Sequence, residues 1–319
     1  MGAPILVRQQ VVMGIVEAAY GADPGVDPAL NAILCSEVTR RPQGDVRERN
    51  WVRNVFSGLP HEIGTRFVDL SLQAEIKGGG APAGTVPEIG PLLRACRLEE
   101  TVVPATSVSY TPRSDPQNFD SCTLYVHKGN TTDGKYYRVL GCRGNVSFDW
   151  EASGFGVANF ELRGLYGGEV DIALPAAPVY DSLMPPQLMD ASALTLGLYT
   201  PKLHRLSFNY NNQIINRLDP VETHGLYQVA LAGARTTGSL EVEDELVAVQ
   251  NFLADWIAYT EKAFQLTYGS AAGNIVTIDA PKVQYISVEH GDRDGIETRI
   301  LNVAMNGNAG DDEFAITFT

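Results

Sequence analysis

The stretch that most limits what this chain can fold into runs from Gly144 to Gly167, GNVSFDWEASGFGVANFELRGLYG. Val146, Phe148 and Trp150 alternate with Ser147 and Asp149. After a turn at Ser153-Gly154, Val157, Asn159, Glu161 and Arg163 alternate with Ala158, Phe160 and Leu162. A period of two puts the apolar side chains on one side of an extended chain, which predicts a β-hairpin with one buried face. A counterpart lies near the C-terminus: Val283 to Val288, a turn at Gly291-Asp292-Arg293-Asp294-Gly295, then Glu297 to Val303. Each hairpin closes a block with the same order upstream: strand, long loop, strand, helix, strands. The identities match poorly, so the repeat is one of pattern.

The first block reads as a strand over 33–38 and then a long polar connection from Thr39 to Thr65. That connection holds Arg40, Arg41, Arg47, Arg49 and Arg53, with Trp51 and Phe56 among them. A strand follows over 67–76, then a Gly/Pro spacer, and a short helix over 88–96 with Pro91 in its first turn. Strands over 107–111, 121–127 and 136–143 precede the hairpin. Residues 169–193, punctuated by Pro175, Pro178, Pro185 and Pro186, read as a linker. The second block offers strands over 203–210 and 238–243 around a connection from Asn211 to Thr237. An amphipathic helix over 246–257 comes next, then strands over 264–268 and 273–278, the second hairpin, and an edge strand over 315–318. The expectation is a mainly β chain: an N-terminal arm with a first domain over 1–168, a linker over 169–193, and a second domain over 194–319.

A chain of 319 residues is comfortable for two domains, each burying its own core. Acidic residues outnumber basic ones, 38 against 24, for a formal charge of −14. A free DNA-binding protein shows the opposite balance, because Lys and Arg supply its affinity for phosphates. Cys35, Cys96, Cys122 and Cys142 form no CxxC pair and read as buried thiols in a reducing compartment. No apolar run reaches the ~20 residues that a membrane helix needs. Arg8, Gln9 and Gln10 interrupt any signal-like core. Leu6 stands where a myristoylation signal after Met1-Gly2 needs Ser or Thr.

Chemistry is sparse. His61, His127, His204, His224 and His290 never take metal-ligand spacing, and no nucleophile or phosphate-cradling motif occurs. Asp149 and Glu151 share a strand face but read as solvated, and Gly291–Gly295 reads as a hairpin turn rather than a calcium loop. No catalytic residue, cofactor or metal is expected. The arginine-rich segment around Trp51 could contact nucleic acid, but Asp45 and Glu48 interrupt it, and a self-association arm is the better reading.

Four phrases resemble the tail tube proteins of long-tailed bacteriophages: Gly14 to Pro24 with Ala29 to Leu34, Gly90 to Cys96, Leu140 to Ser147, and Gly273 to Gln284. The resemblance implies β-sandwich or barrel blocks, each with a flanking helix, in a structural protein of the virion tail. Its subunits form rings that stack into a hollow tube through which DNA passes without specific binding. A doubled chain would build from three copies, with pseudo-sixfold symmetry, the ring that single-fold relatives build from six. Assembly in the host cytoplasm, a tape measure protein and a tail terminator are implied in the same way. In a tube, Arg40, Arg41, Arg47, Arg49, Trp51 and Arg53 become candidate contacts between subunits or rings. The strand acids Asp69, Glu75, Asp149, Glu161, Glu241 and Glu243 become candidates for the channel wall. The other readings are a carbohydrate- or partner-binding β-sandwich, which needs clustered exposed aromatics, and, third, an enzyme.

Overall fold

A computed structural model describes residues 9–319. The first eight residues of the arm, including Met1-Gly2, Leu6 and Arg8, lie outside the described residues. In chain order the elements are β1 (Gln10–Val16), α1 (Pro28–Asn31), β2 (Ala32–Ile33), β3 (Cys35–Arg47), β4 (Glu62–Glu75), α2 (Gly90–Ala95), β5 (Leu98–Val103) and β6 (Ser107–Pro112). They continue with β7 (Cys122–Gly129), β8 (Gly134–Glu151), β9 (Val157–Asp171), β10 (Ala191–Leu196), β11 (Leu203–Asn209), β12 (Ile214–Leu218), β13 (Leu226–Leu231) and β14 (Thr237–Glu243). The last are α3 (Phe252–Ile257), β15 (Glu261–Tyr268), β16 (Val276–Arg293), β17 (Ile296–Asn306) and β18 (Ala315–Phe318). The protein is mainly β.

Two groups of six strands pair in the same order. In the first, β1 pairs β7, β7 pairs β8, β8 pairs β9, β9 pairs β4 and β4 pairs β3. In the second, β10 pairs β15, β15 pairs β16, β16 pairs β17, β17 pairs β14 and β14 pairs β11. All of these pairs are antiparallel. Each group has one 18-residue strand, β8 or β16, as its spine. A register shift divides each spine, at Leu140/Arg143 in β8 and at Tyr285/Ser287 in β16. Bulges of this kind bend a strand so that its halves serve different layers of a sandwich.

Three connections hold the groups together. β11 pairs the C-terminal part of β8, so one hydrogen-bonded sheet runs through both. β18 bridges β16 and β6. Trp150, fully buried, donates its indole N–H to the hydroxyl of buried Tyr268 at 2.8 Å. The buried hydrophobic residues accordingly form one dominant cluster. Phe208 packs edge-on against Trp150 and Phe264, with ring centroids 5.8 and 5.6 Å apart.

Two buried charges tie distant segments together. Glu17 accepts from the backbone N–H groups of Gly21 and Gly141, both at 2.7 Å, and from the hydroxyls of Ser121 and Thr123, both at 2.6 Å. It fastens β1 and the turn after it to β7 and β8. Lys77, also buried, donates to the carbonyl of Asp181 at 2.8 Å and lies 4.0 Å from the carboxylates of Glu75 and Asp181. The proline-rich segment is therefore docked against the first group.

Several expectations are corrected. The connection after residue 38 is largely strand: β3 continues to Arg47 and β4 starts at Glu62, which leaves a loop over 48–61. The 136–143 strand and the first half of the hairpin are one strand, β8, and the 273–278 and 283–288 segments are joined in β16. The 211–237 connection contains the β12–β13 hairpin, and β5 was not anticipated. Only 252–257 of the proposed 246–257 helix is helical. Asn251 caps it there, its side chain accepting from Ala254 N–H at 2.9 Å, and a cap of this kind starts a helix rather than continuing one.

Trp150→Ala is expected to cost about 3–5 kcal/mol, the range for truncating a large buried aromatic, because it opens a cavity where the groups meet and orphans the Tyr268 hydroxyl. Urea unfolding of the unassembled subunit measures this.

Candidate functional site

The strands shared by the two groups bury one face and present the other. On β4, β9, β8, β11 and β14 the alternate residues Leu70, Phe160, Phe148, Phe208 and Leu240 are buried. The intervening residues form a polar face. Register places Asp69 opposite Arg163, Ser71 opposite Glu161, and Glu161 opposite Asn145. Farther along, Asp149 stands opposite Ser207, Ser207 opposite Ser239, and Ser239 opposite Asn302. The six strand acids singled out from sequence, Asp69, Glu75, Asp149, Glu161, Glu241 and Glu243, all lie on this face.

Most of these acids are partly neutralised. Asp69 meets Arg163 at 2.7 Å, Asp149 meets Arg205 at 3.6 Å, Glu241 meets Arg293 at 3.5 Å and Glu243 meets Lys202 at 3.2 Å. Glu161 has no ion pair among the described residues. Glu151 and Glu289 add further carboxylates, which makes eight acids against Arg41, Arg163, Arg205, Arg293 and the adjoining Lys202, so the face stays net negative.

Sequence reasoning did not single out the amides that tie the acids together. Gln73 donates to Asn159 at 2.9 Å, Asn159 to Asp149 at 3.0 Å, and Asn145 to Asn209 at 2.8 Å. Asn302 donates to Ser287 at 2.8 Å and to Glu289 at 3.0 Å. Their signal was the amide or hydroxyl at every second position of the same alternating runs. Side-chain ladders of this sort hold polar groups in place on a flat, hydrated surface.

The arginine segment divides. Arg40 is not on a free arm: its guanidinium lies 3.7 Å from the centre of the Tyr137 ring and pairs with Glu169 at 3.1 Å. Arg41 points to the polar face and makes no ion pair among the described residues. Arg47, Arg49, Trp51 and Arg53 belong to the projecting β3–β4 hairpin and its loop. Among the described residues Arg47 pairs only with its neighbour Asp45, at 3.5 Å, and Arg53 donates to Gly58 O at 2.9 Å within the loop. Trp51 is 73% exposed, and Val52 and Phe56 are fully exposed beside it. These apolar side chains stand out from the otherwise polar loop.

Several strand edges are open among the described residues, those of β3 and of the C-terminal part of β16 among them. Among the described residues β3 pairs only β4, and Ser287–Arg293 of β16 pair only β17. An unpaired edge is a template for another strand.

The three tryptophans do not form a sugar-binding platform. Trp150 is buried, Trp51 sits on the loop, and Trp256, in α3, donates to Ile286 O at 3.0 Å. Gly291–Gly295 is part of the β16–β17 hairpin, with Asp294 and Gly295 at φ 55° and 83°, the paired left-handed residues of a two-residue turn. All four cysteines are free, and burial pushes the Cys35 thiol up to about 12. Among the described residues no group of three or more His, Cys, Asp or Glu comes together to hold a metal, and no helix is long and apolar enough to cross a membrane.

A family model for phage tail tube protein matches residues 8–317. No curated protein matches the chain.

Replacing Arg47, Arg49 and Trp51 together with alanine is expected to leave unfolding stability within about 0.5 kcal/mol of the parent, because none of the three packs on the core. The same variant is expected to assemble poorly. Denaturation of the subunit, beside sedimentation of assembled material, checks both halves.

Proposed function

The chain belongs to the phage tail tube protein family, and we propose that it forms rings of three copies that stack into the hollow tube of a virion tail, the conduit for DNA. The observation that carries this reading is the identical pairing order of the two six-strand groups. Each group supplies one of two quasi-equivalent places, so three chains supply six, and a closed ring needs only matching head-to-tail interfaces. In this reading residues 1–168 and 194–319 act as the two tube units and 169–193 as the strap between them.

The polar face lines the channel. Its carboxylates repel the DNA backbone, and its amides and hydroxyls hold a water layer between wall and duplex. A wall rich in Lys and Arg would hold the duplex back, since each neutralised phosphate adds affinity through counterion release. The 48–61 loop, with Arg49, Trp51 and Phe56, reaches the next ring or a neighbouring subunit. There its arginines find carboxylates, and Trp51 supplies an anchor of the kind interfaces favour. Assembly takes place in the host cytoplasm around a tape measure protein, and a terminator caps the finished tube. No step calls for catalysis.

Electron microscopy of the purified protein tests the role. Stacked rings with the face bearing Asp69, Asp149 and Glu241 toward a negatively charged channel are expected. Dispersed monomers, or a positively charged channel that binds DNA tightly and salt-sensitively, would refute it.

A further inference from the structure

The join between the two groups gives a template for the join between chains. Within the chain, β11 lies along the C-terminal part of β8, with Ser207 opposite Asp149, Phe208 opposite Phe148 and Asn209 opposite Ser147. Ala152 N–H to His204 O, at 2.9 Å, and Tyr210 N–H to Val146 O, at 3.1 Å, close its two ends. In the shared pairing order β11 corresponds to β3, and β8 corresponds to β16. Of the open edges among the described residues, β3 and the C-terminal part of β16 are therefore the ones that correspond to the two halves of that same joint, each left without its partner.

The positions can be matched residue by residue. Just past β4, Ile76 N–H donates to Gly156 O at 2.9 Å, and just past β14, Asp244 N–H donates to Glu297 O at 3.0 Å. Counting back from these equivalent rungs, Glu75 opposite Val157 matches Glu243 opposite Thr298. Asp69 and its partner Arg41 then match Thr237 and its partner Asn209. On the spines, Asp149 opposite Val157 matches Gly291 opposite Thr298.

We propose that β3 of one copy adds in antiparallel fashion to the open edge of β16 in the next copy, with Thr39 opposite Gly291, Arg40 opposite His290 and Arg41 opposite Glu289. This deepens the tube reading and rests on it. The register brings together opposite charges that have no ion-pair partner among the described residues. Arg41 is exposed and free of ion pairs among the described residues. Glu289 is exposed and, among the described residues, engaged only by Ser287 and Asn302. Both lie on the polar face. Arg40 already pairs with Glu169, and His290 already meets Glu297 at 2.8 Å and Arg299 at 2.6 Å, so neither depends on the other for a partner. Pro42 falls where Tyr210 makes its end rung. It has no N–H to donate, so the joint stops at Arg41, and no rung is lost inside the chain, as expected of proline on an edge strand.

Charge reversal tests the register. Arg41→Glu and Glu289→Arg are each expected to raise the concentration for half-assembly about tenfold, because directly opposed like charges recur at every joint of the ring. The double variant is expected to return to within about threefold of the parent. Circular dichroism and thermal melts of unassembled protein verify that each variant folds. Independently, Arg41→Cys combined with Glu289→Cys is expected to give covalently linked dimers and larger species from assembled material under oxidising conditions. Parent rings with single variants that assemble normally, or a double variant no better than the singles, overturn the register and leave the tube reading intact. A parent that forms no rings removes both.

Discussion

A strand at the edge of a sheet carries a row of backbone N–H and C=O groups that must find partners or face water. That demand organises this chain. The spare edge of β8 is filled by β11, and this one pairing turns two six-strand groups into a continuous sheet with a shared core. The corresponding edge of β16 and the outer edge of β3 stay open. Solubility before assembly is consistent with how they are protected: β3 carries Arg40, Arg41, Pro42 and Arg47, and the open part of β16 carries Glu289, Asp292 and Arg293, charges and proline being common guards of open edges.

The polar face follows from the same geometry. A sheet that buries every second residue must present the others, and with eight strands in register they form a broad patterned surface. Here that surface holds carboxylates, amides and hydroxyls bonded in short ladders, with the basic groups largely spent on ion pairs. In the proposed tube it would meet DNA as a fixed hydrated layer whose residual charge is repulsive. The net charge of −14 also makes copies of the chain repel one another.

The sequence was legible where alternation was clean. Phe148, Trp150, Phe160 and Leu162 marked the β8–β9 hairpin, Leu206 and Phe208 marked β11, and 315–318 marked β18. The alternating acids could be assigned to the polar side of their strands, but only the register showed that all six share one face. Alternation failed where function or bending intrudes. Pro42, Gly44 and the arginines hid the second half of β3. Gly141, Cys142 and Gly144 hid the bend in β8, and the short β12–β13 pair lacks a compact turn signature. In 246–257 the apolar period of a helix was present, but Asn251 competes for backbone hydrogen bonds and caps the helix late. The loop position of Trp51 was readable from its polar surroundings, whereas the engagement of Arg40 with Tyr137 and Glu169 depends on contacts far along the chain that no local pattern carries.

The central claim is that one chain occupies two equivalent places in a closed ring. Native mass spectrometry of the smallest closed ring addresses it directly, given a chain mass of 34.5 kDa. The account predicts a mass of three chains. A closed ring with the mass of six complete chains would contradict it.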